Sequence, residues 1–180
     1  CYDIYGSNAK KWQYVNKIID SLMEKYNYNY IRTPIFESSD LFHRGIGEST
    51  DVVTKETYDF VDRGNRNMTL RPEGTAGVVR SYIENKMYGD ANQPVKLYYN
   101  GTMYRYERPQ SGRDRELTQF GVEVLGSSDP AIDAEVISVA VNIFKLLGLK
   151  GIKVKVNSLG DTESRENYRK ALVEYFEPHI

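Results

Sequence analysis

Two stretches of alternating side chains, Val95 to Glu107 and Glu116 to Leu125, constrain this chain more than any other feature. Each is long enough to cross a sheet, and the Pro/Ser/Gly/Arg loop between them is too short for anything but an antiparallel return. Successive side chains on a strand point to opposite faces. Tyr99, Gly101, Met103, Arg105 and Glu107 therefore share one face of the first strand. On the second, Arg115, Leu117, Gln119, Gly121 and Glu123 share a face, while Phe120, Val122 and Val124 form an opposing apolar set suited to a core. Gln119 and Glu123 beside a glycine suit the floor of a ligand site. A register that sets Glu107 against Arg115 places Arg105 opposite Leu117, Met103 opposite Gln119 and Gly101 opposite Gly121. The two facing glycines would then leave a shallow space.

The remaining pattern predicts helices and short strands around that pair. Trp12, Val15, Ile19, Leu22 and Tyr26 mark one face of a helix from Ser7 to about Tyr26, with Ser7 at its N-cap. Tyr28 to Pro34 reads as a strand, and His43 to Asp51 as a polar Gly-rich loop. Thr57 to Val61 and Asn67 to Leu70 flank a turn and form a hairpin. Thr75 to Met87 reads as a helix, and Asp129-Pro130 opens another bearing Ile132, Val136, Val139, Ile143 and Leu146. Ile152 to Val156 alternates as a strand, and Thr162 to Phe176 is a last helix. The fold class is α+β, with a largely antiparallel sheet flanked by helices.

Several chemistries are excluded early. One cysteine cannot make a disulfide framework or a zinc cluster, so no metal site is expected. No apolar run reaches the roughly 18 residues of a membrane span, and neither a secretion signal nor a Gly-rich nucleotide loop is present. A cytoplasmic setting fits. With 24 Lys and Arg against 25 Asp and Glu, the net charge of −1 gives no pull towards nucleic acid. Locally the balance differs: Arg105, Arg108, Arg113 and Arg115 put four guanidiniums within eleven residues. Arginine forks bind phosphate oxygens bidentately and keep their charge. A solvated hairpin tip paired with Glu107 and Glu116 explains the spacing as readily. An arginine placed mid-strand on a polar face favours the polyphosphate site. His43 and His179 read as surface residues, and Cys1 has no general base beside it.

The run Met103-Tyr-Arg-Tyr-Glu-Arg-Pro-Gln-Ser-Gly-Arg-Asp-Arg-Glu-Leu-Thr-Gln-Phe-Gly-Val-Glu123 closely resembles motif 2 of the histidyl-tRNA synthetases, which are class II aminoacyl-tRNA synthetases. Thr69-Leu-Arg-Pro-Glu-Gly-Thr75 resembles that family's histidine-binding segment. Tyr30-Ile-Arg-Thr-Pro-Ile-Phe-Glu37, with the helix before it, is similar to motif 1, part of the dimer interface in this class. Asp3-Ile-Tyr-Gly, Gly47-Glu-Ser-Thr-Asp-Val-Val53 and Val156-Asn-Ser-Leu-Gly160 match in the same order. Together these motifs span essentially the whole chain.

The resemblance implies a class II catalytic core, incomplete, over residues 1–160, with motif 1 at about 12–37 and motif 2 at about 98–125. Residues 161–180 would be the helix leading towards the family's insertion domain. Motif 3, with its catalytic arginine, and the anticodon-binding domain are expected to lie outside the chain, so the piece alone is expected to be inactive. It also implies the substrates L-histidine, ATP with Mg²⁺, and tRNA(His), and a homodimer. Arg105 would bind the α-phosphate and the substrate carboxylate region as the catalytic arginine of motif 2. Glu107 would fix the adenine amino group and Arg113 the terminal phosphates. Glu73, Gly74, Thr75 and Gln119 would surround the histidine α-amino group, and Glu123 would accept from the imidazole N–H.

Some positions depart from the family pattern. Leu117 stands where a phenylalanine stacks on adenine, which implies weaker ATP affinity; Thr118, Thr102 and Thr57 also differ without plainly destroying a site. The alternative reading is the non-catalytic paralogue that regulates ATP phosphoribosyltransferase in histidine biosynthesis. That paralogue tends to lose the arginine-rich loop, which is intact here.

Overall fold

The computed structural model describes residues 2–44, 56–108, 110–157 and 160–179. They fall into two compact units, Cys1–Leu149 and Lys150–Ile180. In the first, helix α1 (Gly6–Lys25) buries Ile19, Leu22 and Met23. Its N-cap is Tyr5, in extended conformation and without a side-chain bond, so the expected cap Ser7 lies inside the first turn. Gly6, its first residue, has a positive φ of 59°, a conformation that costs glycine little.

The chain then forms β1 (Asn29–Tyr30), far shorter than the strand expected from Tyr28 to Pro34. It pairs in parallel with the start of β5 (Val95–Tyr104), Asn29 opposite Leu97 and Tyr30 opposite Tyr98. Beyond Ile31, whose N–H reaches the Tyr98 carbonyl at 2.9 Å, the chain leaves that ladder for a second sheet. That sheet consists of β2 (Phe36–Ser38), β3 (Tyr58–Val61) and β4 (Asn67–Leu70), all antiparallel, with β4 central. The expected hairpin is present as β3 and β4, whose turn is set by Asp62: one carboxylate oxygen accepts the N–H groups of Gly64 and Arg66 at 2.8 and 3.0 Å. Between β2 and β3 lies α2 (Ser39–Arg44). His43, expected in a loop, is therefore helical; the Gly47–Val53 match lies outside the described residues.

β5 pairs antiparallel with β6 (Glu116–Leu125) over their full lengths. Residues of the expected parity do share faces, but the register differs from the expected one by two residues. Gly101 stands opposite Gln119, Met103 opposite Leu117, and Tyr99 opposite Gly121. The N–H of Arg105 donates to the Arg115 carbonyl at 2.9 Å, so Arg115, not Leu117, faces Arg105. In the loop beyond, Gln110 and Arg113 form an isolated bridge that is out of step with this ladder.

The even-numbered face of β5 and β6 is core, as expected. Phe120, Val122 and Val124 pack beside Tyr98 against α1 and α4 (Pro130–Leu146), which contributes Val139 and Ile143. Asp129 caps α4 by accepting the Ala131 N–H at 2.8 Å. The odd-numbered face is divided. Towards β1 it forms a second core of Val95, Leu97, Tyr99 and Met103 with Val78 of α3 (Thr75–Glu84); the rest stays polar. α3 is fixed to the second sheet by a two-pronged ion pair, Arg80 to the largely buried carboxylate of Glu37, at 2.7 and 2.8 Å.

In the second unit, α5 (Thr162–Phe176) is capped by Asp161, which accepts the Ser164 N–H at 2.7 Å. Residues 152–156 form no strand among the described residues. Alternation supplies strand propensity, but a strand also needs a ladder partner, and none of the described residues offers one.

Candidate active site

Three segments meet on the polar part of the odd-numbered face: residues 71–75 entering α3, the end of β5 with the loop after it, and the middle of β6. The N-terminus of α3 organises one end. Its exposed N–H groups attract acceptors. The Glu73 carboxylate takes two of them, from Thr75 and, at 3.0 Å, from Ala76. Gln119 Oε1 takes a third, from Gly74, at 3.1 Å. The Thr75 hydroxyl donates to Glu123 Oε1 at 2.7 Å. Glu73, Gly74, Thr75, Gln119 and Glu123 thus converge, although 44 residues separate Thr75 from Gln119 in the chain. Burial pushes the Glu123 carboxyl above its ordinary range, and the nearby Glu73 charge adds to this while the Thr75 hydroxyl opposes it.

The other end is cationic. Arg105, Arg113 and Arg115 gather around Glu107, whose carboxylate lies 3.8 Å from Arg105 and 3.6 Å from Arg113. Arg115 Nε donates to the Glu107 carbonyl at 3.2 Å, and its guanidinium lies 4.1 Å above the Tyr106 ring. Arg108 is exposed on the loop. Arg105 links the two ends: its Nε donates to the Pro72 carbonyl at 2.8 Å, while its Nη1 lies 3.8 Å from the Glu107 carboxylate. Leu117, opposite Met103 in the ladder, is partly buried against the Met103 cluster and lines a cavity of about 200 Å³ with Trp12 and Ile4.

The expected shallow space between two glycines is absent, because each glycine accommodates a neighbouring side chain. A Cβ on Gly121 would come within 2.3 Å of the Tyr99 ring, and one on Gly74 would meet the same ring at 2.3 Å. Tyr99 is thus clamped between them, 8% exposed. A Cβ on Gly101 would lie 2.8 Å from Arg71 Nη2. Tyr99, Arg71 and the Pro72 carbonyl are the site-building groups that sequence reasoning missed. The one signal was the pair of glycines on a strand face, which marks close approach by another group as readily as room for a ligand.

Chemically, the arrangement is bipolar. Two carboxylates and an amide oxygen at the α3 end suit an ammonium or imidazole N–H donor. The guanidiniums some residues away suit carboxylate and phosphate oxygens. Among the described residues there is no group of three or more His, Cys, Asp or Glu side chains placed to hold a metal ion, and no helix is long and apolar enough to cross a membrane.

Comparison with known proteins identifies the family. The histidyl-tRNA synthetase family profile matches residues 1–162. The histidine–tRNA ligase of Anoxybacillus flavithermus is 62% identical over 178 residues, which is 99% of this chain and 42% of that protein. The histidine–tRNA ligase of Macrococcus caseolyticus is 63% identical with the same coverage. The crystal structure of apo histidyl-tRNA synthetase from S. aureus superposes with a TM-score of 0.78 at 50% identity, covering 99% of this chain and 41% of that one. An ATP phosphoribosyltransferase regulatory subunit/histidyl-tRNA synthetase from Bacillus halodurans shares the fold at a TM-score of 0.70 and 23% identity, over 83% of this chain and 37% of that one. The chain spans about two-fifths of the length of the curated relatives it matches, and it belongs to the histidyl-tRNA synthetase family.

Proposed function

We propose that these residues form the histidine- and ATP-binding floor of a histidine–tRNA ligase. The observation that carries the reading is Arg105, held on the Pro72 carbonyl between a carboxylate-rich end and a guanidinium-rich end. Histidine is a zwitterion with an imidazole, and ATP brings the phosphates. Glu73, Gly74, Thr75 and Gln119 would take the α-ammonium group. Gln119 Oε1 keeps a lone pair beyond the one used by Gly74. Glu123 would accept from the imidazole N–H. Arg105 would draw the histidine carboxylate and the α-phosphate together. Arg113 would hold the terminal phosphates, Glu107 the adenine amino group, and Leu117 one face of the adenine ring. Mg²⁺ would enter with ATP as part of the substrate.

In the reaction the histidine carboxylate oxygen attacks the α-phosphorus in line, forming a new P–O bond as the bond to pyrophosphate breaks. Histidyl-adenylate results. A terminal ribose hydroxyl of tRNA(His) then attacks the acyl carbon, AMP leaves, and the tRNA is esterified. No covalent protein group is needed, because positioning and neutralisation of charge on the phosphorane lower the barrier. Such a ligase works where tRNA is charged, in the cytoplasm, and the exposed motif 1 side chains Tyr30, Ile35 and Phe36 fit a homodimer.

The test is histidine-dependent exchange of pyrophosphate into ATP by a protein of the relatives' length that carries these 180 residues, called here the extended chain. Exchange that requires histidine supports the reading. Histidine binding without exchange would replace it with a non-catalytic binding module.

A further inference from the structure

Arg71 has no place in the ligand roles above, yet it is buried, at 9% exposure. Its guanidinium bonds to neutral oxygens: Nε to the Thr102 carbonyl at 2.8 Å, and Nη1 to the Thr33 carbonyl and hydroxyl at 2.9 and 3.3 Å. Nη2 occupies the space left by the missing side chain of Gly101. Its backbone is tied to the same two segments. The Arg71 N–H donates to the Ile35 carbonyl at 2.8 Å, and its carbonyl accepts from the Tyr104 N–H at 3.0 Å. Segments 33–35 and 102–104 are thereby bolted together at a single residue.

The next residue carries the consequence. Pro72, its φ fixed by the ring, presents the carbonyl that receives Arg105 Nε at 2.8 Å. A shift of Arg71 therefore moves the acceptor that orients the Arg105 guanidinium. We infer that Arg71 is a positioning residue for the adenylation reaction, acting through the Pro72 carbonyl on Arg105. This rests on the ligase reading. Lysine at 71 has a single nitrogen and cannot span Thr33 and Thr102 as the planar fork does.

The test uses the extended chain with Arg71→Lys, Arg105→Lys and the double variant, together with Val139→Ala as a distant core control. Arg71→Lys is expected to lower kcat for histidine-dependent exchange about 10²-fold, with KM for histidine and ATP changed far less, as for a misplaced reacting group. Adding Arg71→Lys to Arg105→Lys is expected to cost nothing further, since both act on one guanidinium. Val139→Ala lowers the melting temperature and leaves kcat unchanged. Gly101→Ala, which displaces Nη2 while keeping the Arg71 charge, reproduces the kcat loss if Arg71→Lys fails to fold. Losses that multiply in the double variant, or a kcat for Arg71→Lys and Gly101→Ala matching that of Val139→Ala, would overturn the inference. Absence of histidine-dependent exchange in the unsubstituted protein counts against the ligase reading alone. In that case the Arg105 Nε–H resonance decides the positioning role: a shift in Arg71→Lys supports it, and an unmoved resonance refutes it.

Discussion

Arg105 Nε donates to the carbonyl oxygen of Pro72 at 2.8 Å, so a residue just past β5 is oriented by the segment that enters α3. The bond uses the Nε donor, and the outer nitrogens, one of them 3.8 Å from the Glu107 carboxylate, are the pair suited to a bidentate oxyanion partner. Arg105→Lys keeps a positive charge but loses both the anchor and the fork. It should lower kcat for exchange by about 10²-fold. The side chain is part-exposed, so the melting temperature should barely change. Exchange kinetics beside a thermal melt check both halves.

Glu123 lies in a half-buried position where burial and the Glu73 charge raise its carboxyl above the ordinary value of 4.5. Between that value and the raised one, the folded protein binds more protons than the unfolded chain. Stability therefore falls as pH rises through this window, and the penalty is fully present above it. Glu123→Gln removes the penalty while keeping an acceptor for the Thr75 hydroxyl. The variant should be more stable than the parent at neutral pH. The difference should vanish below about pH 4.5, where Glu123 is protonated anyway. Urea unfolding of both proteins at several pH values measures it.

Much of this architecture was legible in local patterns. The β3–β4 hairpin follows from a turn that Asp62 can satisfy, α4 from the Asp129-Pro130 start, and the faces of β5 and β6 from strict two-residue periodicity. The register was not legible, since parity leaves any two-residue slip equally allowed and the sequence of the loop does not say which one is taken. The helix α2 is six residues long, too short for a periodic signal. At the site, the resemblance named Glu73, Thr75, Arg105, Gln119 and Glu123, and the fold gathers their side chains around the α3 N-terminus and the Pro72 carbonyl. Arg71 and Tyr99 lay in the segment and on the face singled out, but received no role, because their roles depend on the space above Gly101, Gly74 and Gly121, which only three-dimensional approach reveals.

The Tyr99 ring, clamped between Gly74 and Gly121, gives a packing prediction. Gly121→Ala puts a Cβ 2.3 Å from that ring, with backbone on the other side. Overpacking of this kind costs about 1–3 kcal/mol. Tyr99→Leu in the same protein should recover part of the loss. Unfolding free energies of the two single variants and the double variant should therefore be non-additive, with the double more stable than their sum.

Phe36 and Phe60 sit edge to face with centroids 6.1 Å apart, 54% and 42% exposed. With Ile35, which is also exposed, they put several apolar side chains on one stretch of surface, the kind of feature that favours association when it forms a contiguous patch. If motif 1 forms a homodimer contact here, Phe36→Asp should weaken self-association by at least about tenfold, roughly 1.4 kcal/mol. Sedimentation equilibrium of parent and variant reads the change, and an unaltered dimer constant would remove this face from the interface.

In the proposed ligase one floor would bind both substrates, with Glu123 reading the imidazole. Calorimetric titration of histidine and of Mg-ATP into the extended chain, with and without Glu123→Ala, tests it most directly. Histidine binding should be lost or weakened far more than ATP binding, because the imidazole N–H loses its acceptor. Equal losses for the two ligands, or unchanged histidine affinity, would contradict it.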